Sequence, residues 1–519
     1  MDRMIEALLR PEAYNHPTED LRLLETHLSW VLLSGAYAYK LKKPVNLGFV
    51  DFSTPELRRQ ACQAELRLNR RLAPDLYLDL CPVHGPAEQA SFHGTGPEIA
   101  VAVRMRRFAQ RNLLPAVLGR GELGPQVLDQ LADVLASFHA AAAIAAPDAP
   151  WGSPDQVRSP ALANLAVLAP STTAAALLEP LQQWTLQEGE RLEGHFRQRR
   201  ARGRIREGHG DLHLGNMALH QGQVVVFDCL EFSPALRWID LTSDLAFLVM
   251  DLQARRQPLL AARLLNRWLV ALGDYEGLRA WRWYSVYRAL VRAKVATLRA
   301  GQDALSADAR TTLVTEQQQY LQLAGQISRD RPAGLLITHG LSGSGKSMLA
   351  TTLAERLGWL HLRSDVERRR WFGRWGHSLE PLRHGDAYTA AVGVELLEQH
   401  LPACAAAALA GGWSVLVDAT FLRQRERQQL AAVAQAAGVP FLILACPCDP
   451  EQAAERIRRR LATGEDPSEA PPELPARQVQ WLEPLTTSER QNSLALDGRL
   501  PPHQAIEAVL AEVQQRLRL

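Results

Sequence analysis

The sequence has almost no net charge, because 58 Lys and Arg residues oppose 56 Asp and Glu residues, giving a formal charge of +2. A chain without excess positive charge has no global field that attracts nucleic acid or an anionic membrane. Cysteine is scarce as well: of the six, only Cys446 and Cys448 lie close together, and no second pair completes a zinc site. We therefore expect reduced thiols, as in a cytosolic protein.

The sequence also lacks a long hydrophobic run. A long uncharged stretch, residues 430–448, is interrupted by Gly438, Pro440 and Pro447, whereas a membrane-spanning helix needs about 20 apolar residues without such breaks. The amino terminus, MDRMIEALLRPEAY, carries acids and a proline where a signal peptide has an apolar core. We therefore expect a cytoplasmic protein without a transmembrane segment.

Lysine is also scarce. Because arginine fills most basic positions, we interpret the few lysines as places that require a compact ammonium group, above all Lys346 and the cluster at residues 40–43. The lysines are Lys40, Lys42, Lys43, Lys294 and Lys346.

Two patterns divide the chain near residue 330. Before it, strand-like text at residues 30–42 and 99–105 precedes mainly helical text, which indicates an α+β domain. After it, short apolar strands alternate with helices, which predicts a parallel sheet covered on both faces. We predict domains at 1–330 (small lobe about 1–105, helical large lobe about 106–330) and 331–519, with a polar linker at 328–333.

The stretch GLLITHGLSGSGKSML combines an apolar strand, a glycine-rich loop and a helix start, the context of a nucleotide-binding P-loop. Its glycines allow backbone N–H groups to face phosphates. The lysine would reach the β- and γ-phosphates of ATP, and the serine after it would ligate Mg²⁺. The predicted nucleotide-binding residues of this loop are Gly340, Leu341, Ser342, Gly343, Ser344, Gly345, Lys346 and Ser347.

Two acidic residues follow strands of the second domain. Asp365 could accept the proton of an acceptor hydroxyl, with Arg368 and Arg369 close by to hold an acidic group. Asp418 ends the strand WSVLVD, where a Walker B acid orients Mg²⁺ through water. The chain contains no guanine-reading NKxD motif and no ABC-type signature, so a kinase is favoured over a GTPase or a transport ATPase.

Helical spacing places Arg456, Arg459 and Arg460 on one face. Arginines in this arrangement can close as a lid over a transferring phosphoryl group, with Arg456 and Arg460 contacting the nucleotide. The loop at residues 463–475 follows this helix. The second domain resembles the P-loop kinases related to polynucleotide kinase, zeta toxin, chloramphenicol phosphotransferase and gluconate kinase, and the resemblance covers residues 334–519.

The stretch GHGDLHLGN at residues 208–216 has the order of a kinase catalytic loop. Asp211 would accept the proton of a substrate hydroxyl, His213 would brace the loop, and Asn216 would hold a metal ion. Asp228, at the end of the strand VVVFD, is placed as a second metal ligand. Together these residues predict a phosphotransferase site that binds Mg²⁺ and uses ATP as a substrate.

The same residues resemble the aminoglycoside phosphotransferase family, which has a protein-kinase-like fold. The resemblance implies that Lys40 holds the α- and β-phosphates and that Glu65 is its ion-pair partner, with Lys42 as an alternative because it lies on the same strand face. It also implies structural roles for Asp240 and Asp244. A glycine-rich G-x-G-x-x-G loop is missing, and residues 281–294 carry basic side chains that face either an anionic acceptor or solvent.

The combined motifs predict a bifunctional ATP-dependent kinase, similar to bacterial fusions of these two families that carry an AAA-type ATPase domain. Each domain would phosphorylate a hydroxyl of a small-molecule acceptor. Two alternatives remain: one domain could sense nucleotide and regulate the other, or the second could be a nucleic-acid end kinase, which the charge balance disfavours. No feature indicates a membrane partner or specifies an oligomeric state.

Overall fold

The structure is a computed structural model that describes residues 2–48, 50–169, 175–301, 306–329, 333–463, 470–495 and 502–517. The centre of the predicted linker (330–332) and part of the predicted lid loop (464–469) lie outside the described residues. No helix within the described residues has the length and apolarity needed to cross a membrane.

The strands are β1 Arg22–Glu25, β2 Ser29–Ser34, β3 Tyr37–Lys42, β4 Tyr77–His84, β5 Glu98–Arg106, β6 Ile205–Glu207, β7 Met217–His220, β8 Gln223–Val226, β9 Trp238–Asp240, β10 Leu335–His339, β11 Leu360–Arg363, β12 Val415–Asp418, β13 Phe441–Ala445 and β14 Ser493–Ala495.

The α-helices are α1 Arg3–Leu8, α2 Pro55–Asn69, α3 Leu114–Gly119, α4 Pro125–Ala141, α5 Pro154–Leu168, α6 Ala175–Arg191, α7 Glu193–Ala201, α8 Pro234–Arg237, α9 Leu241–Ala254, α10 Pro258–Leu272, α11 Trp281–Ala300, α12 Ala307–Ser328, α13 Lys346–Leu357, α14 Ser364–Trp371, α15 Ala390–Glu395, α16 Leu401–Ala410, α17 Gln424–Ala437, α18 Pro450–Thr463, α19 Leu474–Gln478, α20 Thr487–Gln491 and α21 Pro502–Leu517. A π-helical turn, Leu396–His400, joins α15 to α16.

The chain forms two compact units. Unit 1 consists of Met1–Gln130, Ala141–Gly152 and Gly203–Asp240. Unit 2 consists of Leu131–Ala140, Ser153–Arg202 and Leu241–Leu519, so it contains both the helical bulk that precedes residue 330 and the P-loop segment.

Unit 1 is built on an antiparallel sheet with the strand order β1-β2-β3-β5-β4. Helix α2 begins where the side chain of Thr54 accepts a hydrogen bond from the amide of Leu57 and where Pro55 occupies the first turn. Its inward face buries Cys62, Glu65 and Leu68. Helix α2 therefore places the Glu65 carboxylate in the buried interior of unit 1.

A short strand precedes helix α9. Trp238–Asp240 is strand β9, which pairs antiparallel with β6, and helix α9 begins at Leu241. The pairing joins residues more than 30 positions apart, as Glu207 with Trp238. Such a long-range contact overrides the local helical pattern.

The P-loop segment of unit 2 contains a parallel sheet with the order β11-β12-β10-β13-β14 within the described residues. The central strands β10 and β12 are completely buried apart from His339, as expected for a sheet covered on both faces. The predicted fold class, a kinase-like α+β region followed by an α/β P-loop domain, is confirmed.

Candidate active sites

In unit 1, two lysines of strand β3 share one buried carboxylate of helix α2. The Nζ atom of Lys40 lies 2.7 Å from Oε1 of Glu65, and that of Lys42 lies 2.6 Å from Oε2. Residues i and i+2 of a strand point to the same face, which explains why both reach the same partner. The Glu65 side chain is 0% exposed, so the three charges form a buried ion-pair cluster.

The second partner of each lysine differs. Lys40 Nζ lies 2.5 Å from Oδ1 of Asp228, whose side chain is 44% exposed. Lys42 forms an ion pair with Glu231, and both of these side chains are almost completely buried. The two lysines, equivalent in the sequence, are therefore distinguished by burial: Lys40 lies beside an accessible carboxylate and Lys42 belongs to the interior.

The carboxylates of this cluster respond differently to their surroundings. Burial alone would raise the pKa of Glu65, but the ammonium groups of Lys40 and Lys42 outweigh it and lower this pKa to about 2. Burial also raises the pKa of Glu231, and there the attraction of Lys42 does not compensate. Glu65 is therefore the carboxylate that anchors both lysines in its ionised form.

The predicted catalytic loop folds around Asp211. Asn216 Nδ2 donates hydrogen bonds to both the carbonyl oxygen and Oδ2 of Asp211, each at 2.9 Å. His213 Nδ1 accepts the amide hydrogen of Gly215 at 3.0 Å, and its Nε2 lies 3.4 Å from Oδ2 of Asp211. The amide and the imidazole therefore fix the orientation of the Asp211 carboxylate.

A second histidine connects this loop to Asp228. The Nδ1 atom of His209 accepts the amide hydrogen of Asp211 at 3.3 Å, so Nε2 carries the proton that it donates to the carbonyl of Phe227 at 3.0 Å. The Phe227 amide in turn donates to the carbonyl of Asn216 at 3.0 Å. Asp228 follows directly, with a left-handed φ of 63°, and its amide donates to the hydroxyl of Tyr77.

Sequence reasoning missed a cluster of arginines around Glu207, the residue before the catalytic loop. The guanidinium group of Arg67 forms two hydrogen bonds to this carboxylate, and Arg71 and Arg237 also contact it. Burial would raise the pKa of Glu207, but the three arginines lower it. Because Arg67 lies on the same helix as Glu65, the cluster joins α2 to the start of the catalytic loop.

In unit 2, three glycines give the P-loop its curvature. Gly340, Gly343 and Gly345 have φ values of 148°, 80° and 90°. A Cβ atom at Gly343 would lie 2.4 Å from the carbonyl oxygen of Ala453, and one at Gly340 would lie 2.5 Å from that of Cys446. Glycine is therefore required both for the backbone angles and for close approach.

The P-loop opens on a cavity of about 270 Å³ that gathers most of the residues predicted for this site. Gly340, Leu341 and Ser344 of the predicted set are not among its lining residues. The Leu341 carbonyl accepts a hydrogen bond from Lys346 Nζ at 3.1 Å. The predicted residues that line the cavity are Ser342, Gly343, Gly345, Lys346, Ser347, Asp365, Asp418, Arg456 and Arg460.

Asp418 is the buried acid of this cavity. Thr338 Oγ1 donates to its Oδ1 at 3.3 Å, while His361 Nε2 and Arg363 Nε lie 3.5 Å and 4.0 Å from its Oδ2. Burial alone would raise the pKa of Asp418, but His361 and the charges of Lys346 and Arg363 lower it to about 2. The residue is therefore an anion at neutral pH.

Of the three arginines predicted to share a face of helix α18, Arg459 does not line the cavity. Arg456 donates to the carbonyl of Ser344 in the P-loop at 3.2 Å, and it lines the cavity together with Arg460. Arg459 is 80% exposed and pairs with Glu455 at 3.0 Å. The i, i+4 pair of helix α18 faces the cavity, whereas the i+3 arginine turns to an acid on its own helix.

Other residues of the cavity carry no motif. Gln478 Oε1 accepts the amide hydrogen of Ser342 at 2.8 Å, and its Nε2 donates to the Ser342 hydroxyl at 3.1 Å. Arg368 lines the cavity and lies over the ring of Tyr388 at 5.0 Å. Arg369, grouped with Arg368 in the sequence analysis, instead lies over Trp375 at 5.3 Å and does not line it.

The basic residues at 281–294 fit neither interpretation offered by the sequence. Arg288 is 2% exposed and donates to the carbonyl of Ser243, while Arg292 pairs with Glu316 at 3.0 Å. Helix α11 packs against both α9 and α12, so these arginines serve the helical core of unit 2. Their helical spacing alone could not distinguish a core helix from a surface helix.

Comparison with known proteins identifies the class to which these sites belong. Residues 47–281 match the phosphotransferase enzyme family, and residues 335–485 match an AAA domain family. The chain is therefore a two-part protein in which a kinase-like phosphotransferase region precedes a P-loop region, as the motifs indicated.

Two relatives align with most of this chain. Uncharacterized proteins of Mycobacterium tuberculosis strain H37Rv and Mycobacterium bovis are each 31% identical to this chain over 477 residues, covering 90% of this chain and 92% of the relative. The chain belongs to the family that these mycobacterial proteins represent.

Solved structures with similar parts include kinases of two kinds. The amicoumacin kinase hAmiN is 16% identical and covers 62% of this chain and 92% of its own, with a TM-score of 0.38. The choline kinase LicA of Streptococcus pneumoniae is 13% identical, covering 62% and 99%, with a TM-score of 0.37. A gluconokinase of Sinorhizobium meliloti 1021 is 24% identical, covering 37% and 98%, with a TM-score of 0.23.

Proposed function

We propose that the protein is a bifunctional ATP-dependent phosphotransferase, with one site in unit 1 and one in the P-loop segment of unit 2. Each site would transfer the γ-phosphoryl group of Mg·ATP to a hydroxyl of a small-molecule acceptor. The observation that carries the proposal is that each site gathers a phosphate-binding cation, an accessible carboxylate and an ionised acid within one contact network or cavity.

In the unit 1 site, Asp211 is the proposed base and Lys40 the proposed phosphate ligand. The exposure of the Lys40–Asp228 pair favours Lys40 over Lys42, whose partners are buried. Asp228 and Asn216 are the proposed metal ligands. The two hydrogen bonds that the Asn216 side chain donates to Asp211 both use Nδ2, so they do not involve its Oδ1, the atom that a hard cation prefers.

The donor set in unit 1 fits magnesium better than a transition metal. Carboxylate and amide oxygens suit Mg²⁺, which binds through one or two carboxylates together with substrate phosphates. No group of three or more His, Cys, Asp and Glu side chains suited to a metal occurs in the described part of the chain. Bound Mg²⁺ would neutralise charge that develops on the phosphates.

In the P-loop site, Lys346 and the loop amides are the proposed phosphate ligands, and Ser347 is a proposed metal ligand. Asp418, with its pKa of about 2, is suited to orient metal-bound water because it stays ionised. Arg456 and Arg460 would contact the transferring phosphoryl group. Asp365 would accept the proton of the acceptor hydroxyl.

The acceptor side of the P-loop site carries positive charge. Arg363, Asp365 and Arg368 all line the cavity. The Nε atom of Arg363 lies 4.0 Å from Oδ2 of Asp418, whereas the buried Nε atom of Arg368 has no hydrogen-bond partner among the described residues. A buried guanidinium hydrogen without an acceptor is unfavourable and indicates a ligand group that can receive it. We therefore propose an acceptor that bears a carboxylate or phosphate as well as the reacting hydroxyl.

Two point variants of the full-length protein test the proposal. Each is incubated with γ-labelled ATP and a pool of bacterial metabolites, and labelled products are separated. Asp211→Asn should remove one set of products and Lys346→Ala another, because the two sites use separate bases and phosphate ligands. If either variant removes both sets, the proposal of two independent sites is wrong.

The same assay separates the alternatives. If Lys346→Ala alters only the rate of products that depend on Asp211, then the P-loop site is a nucleotide-sensing regulator. Transfer of label to the 5′ ends of RNA or DNA, together with filter binding at two salt concentrations, would instead support a nucleic-acid end kinase.

A further inference from the structure

Among the described residues, strand β11 lies at an edge of the parallel sheet and pairs on one side, with β12. The Leu360 amide donates to the carbonyl of Ser414 at that side. Because peptide groups alternate along a strand, the carbonyl of Trp359 and the amide of His361 point to the opposite side. An edge of this kind needs hydrogen-bond partners from another element.

Asn266 of helix α10 supplies both partners. Its Nδ2 atom donates to the Trp359 carbonyl at 2.7 Å, and its Oδ1 accepts the His361 amide hydrogen at 2.8 Å. One carboxamide thus reproduces the donor–acceptor pair of a neighbouring strand. Asn266 belongs to the region that matches the phosphotransferase family, whereas the strand belongs to the P-loop segment.

The carboxyl end of α10 contacts the P-loop segment a second time. Arg370 donates to the carbonyl of Val270 at 2.6 Å, Trp375 Nε1 donates to the same oxygen at 3.2 Å, and the His377 amide donates to Ala271 at 2.7 Å. The last carbonyls of a helix have no partner within it, and a guanidinium group there also suits the helix dipole. Helix α14, which contains Arg370, is therefore fixed to α10.

The two elements held by α10 carry one wall of the P-loop cavity. In register, Arg363 of β11 lies opposite Asp418 of β12, and His361 and Arg363 both lie within 4.0 Å of the Asp418 carboxylate. Helix α14 begins with Ser364 and Asp365, which line the cavity. A shift of β11 along its edge would move these groups relative to Asp418.

We propose that Asn266 is a positioning residue of the P-loop site, so that the region before residue 330 supplies part of the framework on which the second site depends. This inference rests on the proposed phosphotransferase activity of that site. Asn266 acts through β11, whereas the P-loop itself lies between β10 and α13. Its loss should therefore lower the rate of phosphoryl transfer more than the affinity for ATP.

The test uses the full chain in an Asp211→Asn background and measures ADP formation from Mg·ATP in the presence of the metabolite pool. The rate that Lys346→Ala abolishes defines the P-loop activity. Asn266→Ala should lower the kcat of this activity about tenfold and change the KM for ATP by less than about threefold. Asn266→Asp, which can still accept from the His361 amide but cannot donate to the Trp359 carbonyl, should fall between wild type and Asn266→Ala.

Arg263→Ala is the matched control, because Arg263 lies one turn away on the same helix and forms a partly exposed ion pair with Glu355. It should retain the parental kcat. Hydrogen exchange of the Asn266→Ala protein should show faster exchange at the His361 amide, with the β10–α13 amides unchanged.

Three results would overturn the inference. Asn266→Ala could match Arg263→Ala, it could raise the KM for ATP in proportion to the loss of kcat, or its activity could return fully on cooling as an unfolded fraction refolds. If Lys346→Ala leaves ADP formation unchanged in the Asp211→Asn background, the proposed function itself fails, which is a different outcome.

Discussion

The two candidate sites hold the lysines proposed to bind phosphate in opposite ways. Lys40 is held by carboxylates, and its partner Asp228 lies 188 positions away in the chain. Lys346 is held by the backbone of its own loop, through the Leu341 carbonyl five positions away. The first site therefore depends on side-chain charge brought together by the fold, and the second on local backbone shape.

This difference predicts which substitutions each site tolerates. A carboxylate cluster should be sensitive to the removal of charge and tolerant of small changes in backbone geometry. A backbone cradle should lose activity most steeply when its backbone geometry changes. The following changes test this contrast in order of expected effect.

Gly343→Ala should have the largest effect, because φ is 80° there and the new Cβ would lie 2.4 Å from the Ala453 carbonyl. We expect P-loop activity to fall about a thousandfold, since the loop amides could no longer face the phosphates. ADP formation from Mg·ATP in the Asp211→Asn background measures this loss of activity. Gly438→Ala, with a φ of 66° and nothing within 4 Å of the added Cβ, is the control; equal kcat in the two variants would contradict the prediction.

Arg460→Ala should lower P-loop activity about a hundredfold, because the guanidinium group lines the cavity where phosphoryl charge develops. Arg459→Ala changes the same helix and the same charge but removes only an exposed pair with Glu455. It should leave kcat within about twofold of wild type. Steady-state kinetics of the two variants decide the matter, and equal losses would show that helix charge, not position, is responsible.

Glu65→Gln should lower unit 1 activity about tenfold, because Lys40 and Lys42 lose their shared anion and Lys40 loses its position. Breaking a buried ion pair should also destabilise the protein by about 3 kcal/mol. Transfer to the Asp211-dependent products and thermal unfolding measure the two effects. Glu56→Gln, at the exposed start of the same helix, should change neither. An unaltered Glu65→Gln protein would refute the role of the cluster.

The smallest effect concerns alkaline pH. Burial alone would lower the pKa of His400, but its contacts with Cys404 and the carboxylate of Glu367 raise it to about 10. Because this pKa lies above the unfolded value of about 6.5, the stabilisation is complete below that pH and is lost as the pH rises towards 10. In unit 1, the pKa of Lys40 is raised well above its usual value, so its charge persists.

Unit 2 should therefore lose stability between about pH 6.5 and 10 while the unit 1 cluster stays intact. Peptide-resolved hydrogen exchange would be measured at both ends of this range and compared with the rate of an unfolded peptide at the same pH. At the alkaline end, the protection of helices α14 and α16 should be lower. In a His400→Gln protein this pH response should disappear. A response of equal size in the variant would assign the alkaline effect to another group.

The sequence predicted the parts of the molecule that local patterns encode. The P-loop, the order Asp211 to Asn216 and the alternation of strands and helices after residue 334 are short-range patterns with a physical reason for their spacing. They led to the fold class that the structure and the family matches confirm. The assignment of individual residues to catalysis remains a prediction.

The contacts that sequence reasoning missed are long-range. Glu231 meets Lys42 across 189 positions, Gln478 meets Ser342 across 136, and Asn266 meets His361 across 95. Each is a common residue type that belongs to no recognised sequence motif, so its partner becomes known only from the fold. The position of Arg459 could not be predicted for a different reason. Helical periodicity predicts which residues share a face, but it does not show that Arg459 pairs with Glu455 instead of lining the cavity.

The left-handed backbone of Asp228 has a consequence for how such a protein can evolve. At a φ of 63°, glycine would be the most relaxed residue, yet only a side chain with oxygens could bind the cation proposed at this position. Selection for stability therefore favours glycine at position 228, whereas selection for cation binding favours aspartate. A lineage that abandoned transfer in the first half of the chain would be freed to let Asp228 drift towards glycine, and that change would serve as a signature of lost activity.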